Sequence, residues 1–121
     1  MSDAIRVGYR SIDTAQAYGN EAGVGAAWRK RGLSRDELFL TTKVWITNAG
    51  EEKATASIDA SLKALQTDYV DLLLIHQPFG DYDGTYRSMA AAQKVLSRYG
   101  TQIESWGPFS EGRNGGKLQY L

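Results

Sequence analysis

What most restricts the fold of this chain is a recurrence: a short strand-like stretch, a polar junction, then a segment of helical period, repeated along the sequence. "GYRSID" alternates small and large residues up to Asp13, and Asn20 with Glu21 marks a helix start before "AGVGAAWRKRG". Val24 and Trp28 stand four apart there, on one face, and Gly32 caps the helix with Lys30 and Arg31 in its last turn, where cations suit the dipole. "ELFLTTKVW" reads as a short buried strand. "EEKATASIDASLKALQT" follows as a helix, with Ile58, Leu62 and Leu65 on one stripe and two glutamates at its positive end. "YVDLLLIHQP" is a third strand, nearly continuously apolar as a strand covered on both faces should be, and Pro78 stops it. "TYRSMAAAQKVLSRYG" supplies a helix with Met89, Gln93 and Leu96 along one side and Gly100 as its cap. "TQIESWGPF" is a fourth strand closed by Gly107 and Pro108, and residues 111–121 are a polar, glycine-rich tail.

Strands alternating with helices imply an α/β fold with a parallel sheet, right-handed crossovers and helices over the apolar strand faces. The junction residues Asp13, Lys43, His76 and Trp106 lie 30, 33 and 30 positions apart, about one βα unit each. Each stands where a strand hands over to its loop, the end at which parallel α/β folds bind ligands. A chain of 121 residues is one domain, 1–121.

Charge and composition narrow the function. Fourteen Lys and Arg balance fourteen Asp and Glu, so the basic field that nucleic acid or an anionic membrane needs is absent. There is no cysteine and a single histidine, His76, which excludes disulfides and multi-histidine or cysteine metal centres; no metal is expected. The longest apolar run, "LLLI", is too short to span a bilayer, and the start carries no signal-peptide run. The expectation is a soluble cytoplasmic protein acting on a small molecule.

Singly, Asp13, Tyr18, Lys43 and His76 have ordinary readings: a turn aspartate, one tyrosine of seven, a solvated lysine, a histidine fixing the chain's exit. Brought to one rim they form a proton-transfer set. A phenol titrates near 10 and is a poor acid at neutral pH unless its anion is stabilised, which a neighbouring Lys43 held by Asp13 would do. His76 would orient a carbonyl oxygen. Such a site protonates a developing alkoxide, as hydride addition to an aldehyde or ketone requires, and a nicotinamide must bring the hydride. No G-x-G-x-x-G follows a strand; Gly19, Gly23 and Gly25 have the wrong spacing and serve a turn and close helix packing.

These stretches resemble the aldo-keto reductases, in particular bacterial members close to the diketogluconate reductases. "GYRSIDTAQAYGNEAGVG" is similar to that family's first signature, "LFLTTKVW" to its lysine strand, "YVDLLLIHQP" to its histidine strand and "QIESWGPFSEGRN" to its seventh barrel strand. The resemblance implies a TIM barrel that reduces carbonyls with NADPH laid across its C-terminal rim. Asp13, Tyr18, Lys43 and His76 fall on the catalytic tetrad, with Tyr18 as general acid. Trp106 falls on the aromatic that stacks on the nicotinamide, and Gly107, Pro108, Phe109 and Ser110 on the segment along the pyrophosphate. Trp45 either lines the apolar side of the substrate pocket, beside His76, or simply packs its loop. A whole barrel takes about 250 residues. Here the strands resemble the second, third, fourth and seventh, so the resemblance implies a partial (β/α) barrel: an open sheet of about four parallel strands whose edges invite self-association. Two alternatives stand beside the enzyme. One is a catalytically silent remnant or interaction module of the same family; the other is a small flavodoxin-like domain binding a phosphate ligand at its strand ends.

Overall fold

Between consecutive strands runs enough chain to cross back over the sheet, and the strands pair in parallel as such connections require. The computed structural model describes residues 1–96 and 102–105. Helix α1 (Ser2–Arg6) precedes strand β1 (Ser11–Asp13), helix α2 (Glu21–Lys30), strand β2 (Phe39–Val44), helix α3 (Glu51–Leu65), strand β3 (Leu72–Ile75), helix α4 (Tyr82–Leu96) and strand β4 (Gln102–Ser105). The four strands lie in the order β1-β2-β3-β4, all parallel. Among the described residues the sheet is open, with β1 and β4 as its outer strands, and the fold is the expected partial α/β barrel.

Register decides which side chains meet. Ile12 pairs with Leu40, Thr42 with Leu73 and Val44 with Ile75, which puts these residues on one face of the sheet. Their aliphatic members are buried in one cluster with Val24 and Trp28 of α2, Ala54, Ile58 and Leu65 of α3 and Met89 of α4. Burial of each large aliphatic stabilises by about 1.5–3 kcal/mol, well above the tenths that helix propensity contributes, so this apolar face fixes the helices' orientation. The opposite face is left to Asp13, Thr41, Lys43, Leu72 and Leu74.

Two details set how closely α2 approaches α3. A Cβ on Gly25 would stand 2.5 Å from the Ala64 carbonyl oxygen, and the Trp28 indole N–H donates to the Leu65 carbonyl at 2.9 Å. Gly19 turns the chain at φ +62, and Gly32 follows α2 at φ +67. Gly23 has open space where a Cβ would stand, so close packing belongs to Gly25 and not to Gly23.

The start of the sheet is tied by one arginine. Arg35 donates to the carbonyls of Leu38 and Tyr69, the Thr67 hydroxyl and the Asp71 carboxylate, while Asp71 also accepts the N–H of Leu40. This knot joins the N-terminal ends of β2 and β3.

Besides Gly23, the structure departs from the sequence reading in four places. Helix α1 was not expected. The strands are shorter than the apolar stretches, with "YVDLLLIHQP" contributing four residues to the sheet. Helix α4 begins at Tyr82, three residues before the expected Thr85, because the Asp81 carboxylate accepts the N–H of Gly84 as a cap. Gln93 is exposed; the buried side of α4 runs through Thr85, Ser88 and Met89, with Ala92 packed against the core. Gly100, the closing Gly107 and Pro108, and residues 111–121 lie outside the described residues. Among those described, no helix is long and apolar enough to cross a membrane.

Candidate active site

The site starts from strand register. Asp13 ends β1 opposite Thr41, and Lys43 lies two residues further along β2 on the same face, away from the core. Lys43 is only 3 % exposed. An ammonium without water needs partners, and it has them: the Asp13 carboxylate in an ion pair and the Thr14 carbonyl at 3.1 Å. The Asp13 side chain is itself 59 % exposed, so the pair bridges the interior and the rim.

Tyr18 arrives on a separate element, the 3-10 turn Gln16–Tyr18 that Gly19 terminates. It is 53 % exposed, and the Lys43 Nζ lies 5.2 Å from its ring centroid. The lysine thus faces the ring. Its described hydrogen bonds go to Asp13 and Thr14.

His76 comes directly after β3, its N–H donating to the Val44 carbonyl at 3.1 Å. The imidazole meets Tyr18 edge-on, with centroids 5.7 Å apart and planes at 90°, and packs against Trp45 at 5.0 Å and 67°. Burial pushes the His76 pKa below its ordinary value, the Lys43 charge adds to that, and Asp13 opposes it. The ring is therefore neutral at neutral pH. Its Nδ1 is buried and, among the described residues, without a hydrogen-bond partner.

Asp13, Tyr18, Lys43, His76 and Trp45 accordingly stand together at one rim. Trp106, Gly107, Pro108, Phe109 and Ser110 lie outside the described residues; Ser105, the last described residue before them, pairs with Ile75, the neighbour of His76. The sequence reading missed the polar side chains that hold the rim. Thr14 donates to the Asn20 side-chain oxygen at 2.6 Å, so Asn20 opens α2 without capping it. Glu21 accepts from Thr42 at 2.6 Å and from Ser61 at 3.1 Å. Gln16 bonds Trp45, Asn48, Ser57 and Ser61. Their partners are far away in the chain, and no local spacing announces them. Among the described residues no group of three His, Cys, Asp or Glu is placed to hold a metal.

A half-exposed phenol, a buried ammonium neutralised by a carboxylate and an uncharged imidazole, brought together by three consecutive strands and the turn after the first, suit proton transfer to an oxygen at the rim. Residues 1–121 match the family described as "Aldo/keto reductase family". The chain belongs to the aldo/keto reductases. Among similar curated proteins, "Methylglyoxal reductase DkgB" of Yersinia pestis is 55% identical over 78 residues, 64% of this chain and 29% of that protein. "Glyoxal reductase" of Bacillus subtilis is 49% identical over 92 residues, 75% of this chain and 33% of that protein. The chain thus spans about a third of the length of these relatives. Among solved structures, an aldo/keto reductase from Brucella melitensis superposes with TM-score 0.77 at 43% identity, covering 86% of this chain and 41% of that one. The Bombyx mori aldo-keto reductase in complex with NADP gives 0.76 at 34% identity, over 86% and 38%.

Proposed function

We propose that this chain carries the proton-transfer rim of an NADPH-dependent aldo/keto reductase that converts an aldehyde or ketone to an alcohol. The observation that carries the reading is the buried Lys43 ammonium, paired with Asp13 and facing the ring of Tyr18, with neutral His76 meeting that ring edge-on.

In this reading Tyr18 is the general acid: its hydroxyl gives a proton to the carbonyl oxygen as the alcohol forms, and its exposure to solvent lets it be reprotonated. Lys43 stabilises the charge left on the phenol oxygen, and Asp13 keeps the lysine in place. His76 is uncharged and donates a hydrogen bond that orients the carbonyl. Trp45 lines the apolar side of the pocket. NADPH fits this donor set, since the rim offers acid chemistry and no reductant, and Trp106, Gly107, Pro108, Phe109 and Ser110 are the residues that would hold its nicotinamide and pyrophosphate. When bound, the cofactor supplies the hydride that the carbonyl carbon takes up. Small dicarbonyls, after which two of the relatives are named, are the first substrates to try. The setting is cytoplasmic, and the open sheet edges pair with a second copy.

A second reading, a catalytically silent remnant or interaction module of the same family, is favoured by the lysine's bonding: the described hydrogen bonds of Lys43 go to Asp13 and Thr14 and not to the Tyr18 hydroxyl. Titration of NADPH against tryptophan fluorescence separates the two. Saturable quenching, with cofactor consumption on adding methylglyoxal, supports the reductase; a flat titration up to millimolar NADPH supports the remnant.

A further inference from the structure

Gln16 stands two residues before Tyr18 in the same 3-10 turn. Its side-chain carbonyl accepts the backbone N–H of Trp45 at 2.8 Å and the Asn48 amide at 2.9 Å. Its own amide donates to the Ser57 carbonyl at 3.2 Å and to the Ser61 hydroxyl at 3.1 Å. Both lone pairs and both N–H groups of a glutamine are thereby used, which leaves the side chain one orientation. Trp45 and Asn48 bracket the connection after β2, and Ser57 and Ser61 belong to α3.

The consequence falls on His76. The sheet fixes the strand ends, but the turn carrying Tyr18 and the loop carrying Trp45 lie beyond the ladder, and both rings pack against the imidazole. We propose that Gln16 is a positioning residue of the reductase site, a single amide that sets the spacing between the turn presenting Tyr18 and the loop holding Trp45 on His76. It touches none of the reacting groups. Its effect is to keep the rim closed round the imidazole, at the separation proton transfer needs.

This inference rests on the reductase reading for its meaning, and its test does not need turnover. His76 is the sole histidine, so its imidazole gives one set of ring resonances in the full 121-residue chain. In Gln16→Ala the Trp45 loop loses its tether: the His76 ring-proton shifts move toward those of a free imidazole, and its titration midpoint rises toward the ordinary histidine value as water reaches the ring. The charges facing it, Lys43 and Asp13, are untouched by the substitution. Gln16→Met keeps the length of the side chain and removes all four hydrogen bonds, and it reports the same change if the alanine variant does not fold. Arg35→Ala, at the other end of the strands, is the control for general loosening. Wild-type His76 shifts and titration in either folded Gln16 variant overturn the proposal, as does an equal change in Arg35→Ala. Where turnover is measurable, Gln16→Met lowers kcat by about 10²-fold with KM little changed. A wild-type chain with no turnover counts against the reductase reading alone, because the His76 signals still decide the role of Gln16.

Discussion

Lys43 keeps its charge almost out of water because Asp13 and the Thr14 carbonyl replace the lost hydration, and that arrangement turns Tyr18 from one tyrosine among seven into the candidate acid. Tyr18→Phe keeps the ring that His76 and Lys43 pack against and removes only the hydroxyl. It lowers turnover by about 10²–10⁴-fold, read as loss of NADPH absorbance with methylglyoxal; near-full turnover would mean that another group gives the proton. His76 also leaves a mark on stability. Its folded-state pKa is depressed, chiefly by burial, so below about 6.5 the unfolded chain takes up a proton that the folded chain resists. Stability is therefore full above that value and falls as the pH drops from it toward the lowered folded pKa. Denaturant titrations show this slope for the wild type and a flatter one for His76→Gln; equal slopes refute it. Three of the four proposed site positions, Asp13, Lys43 and His76, were legible in the sequence because strand ends recur at the βα interval. Gln16 was not: its partners lie 29 to 45 residues away, a pairing that only the folded loops create.

At the level of elements, the α2–α3 contact offers the sharpest test. Gly25→Ala improves helix propensity by about 1 kcal/mol, yet its new methyl meets the Ala64 carbonyl, a backbone atom that cannot turn aside. Overpacking of this kind costs about 1–3 kcal/mol and wins, so the variant unfolds at lower denaturant, whereas Gly23→Ala, facing open space, does not. Periodicity made α2 and α3 readable because Val24, Trp28, Ile58 and Leu65 repeat at helical spacing and all reach the core. It failed where the signal is local or thin. Helix α1 has five residues and one buried side chain, Ile5, which is no pattern at all. Gly80 and Gly84 look like breakers, but Asp81 caps the helix between them, and Gly84 is where that carboxylate leaves no room for a Cβ. Gln93 was placed on the inner stripe by counting from Met89; the actual stripe passes through Ala92.

For the molecule as a whole, the outer strands β1 and β4 each leave a row of backbone groups unpaired within the described sheet. With no net charge to keep copies apart, association through these edges is expected. Sedimentation of the 121-residue chain shows dimers or larger species at micromolar concentration; a well-folded monomer there would count against it. The alternation of strands and helices was readable at this scale, whereas the open sheet was implied only by the resemblance to the second, third, fourth and seventh strands of a barrel. How neighbouring loops lock together was not. The two ends of the strands also have separate employment. The arginine knot at Arg35 and Asp71 secures the starts of β2 and β3, while Asp13, Tyr18, Trp45 and His76 gather at the finishes. In the proposed reductase, libraries that randomise Trp45 to admit bulkier carbonyls therefore leave the bonds of the arginine knot untouched.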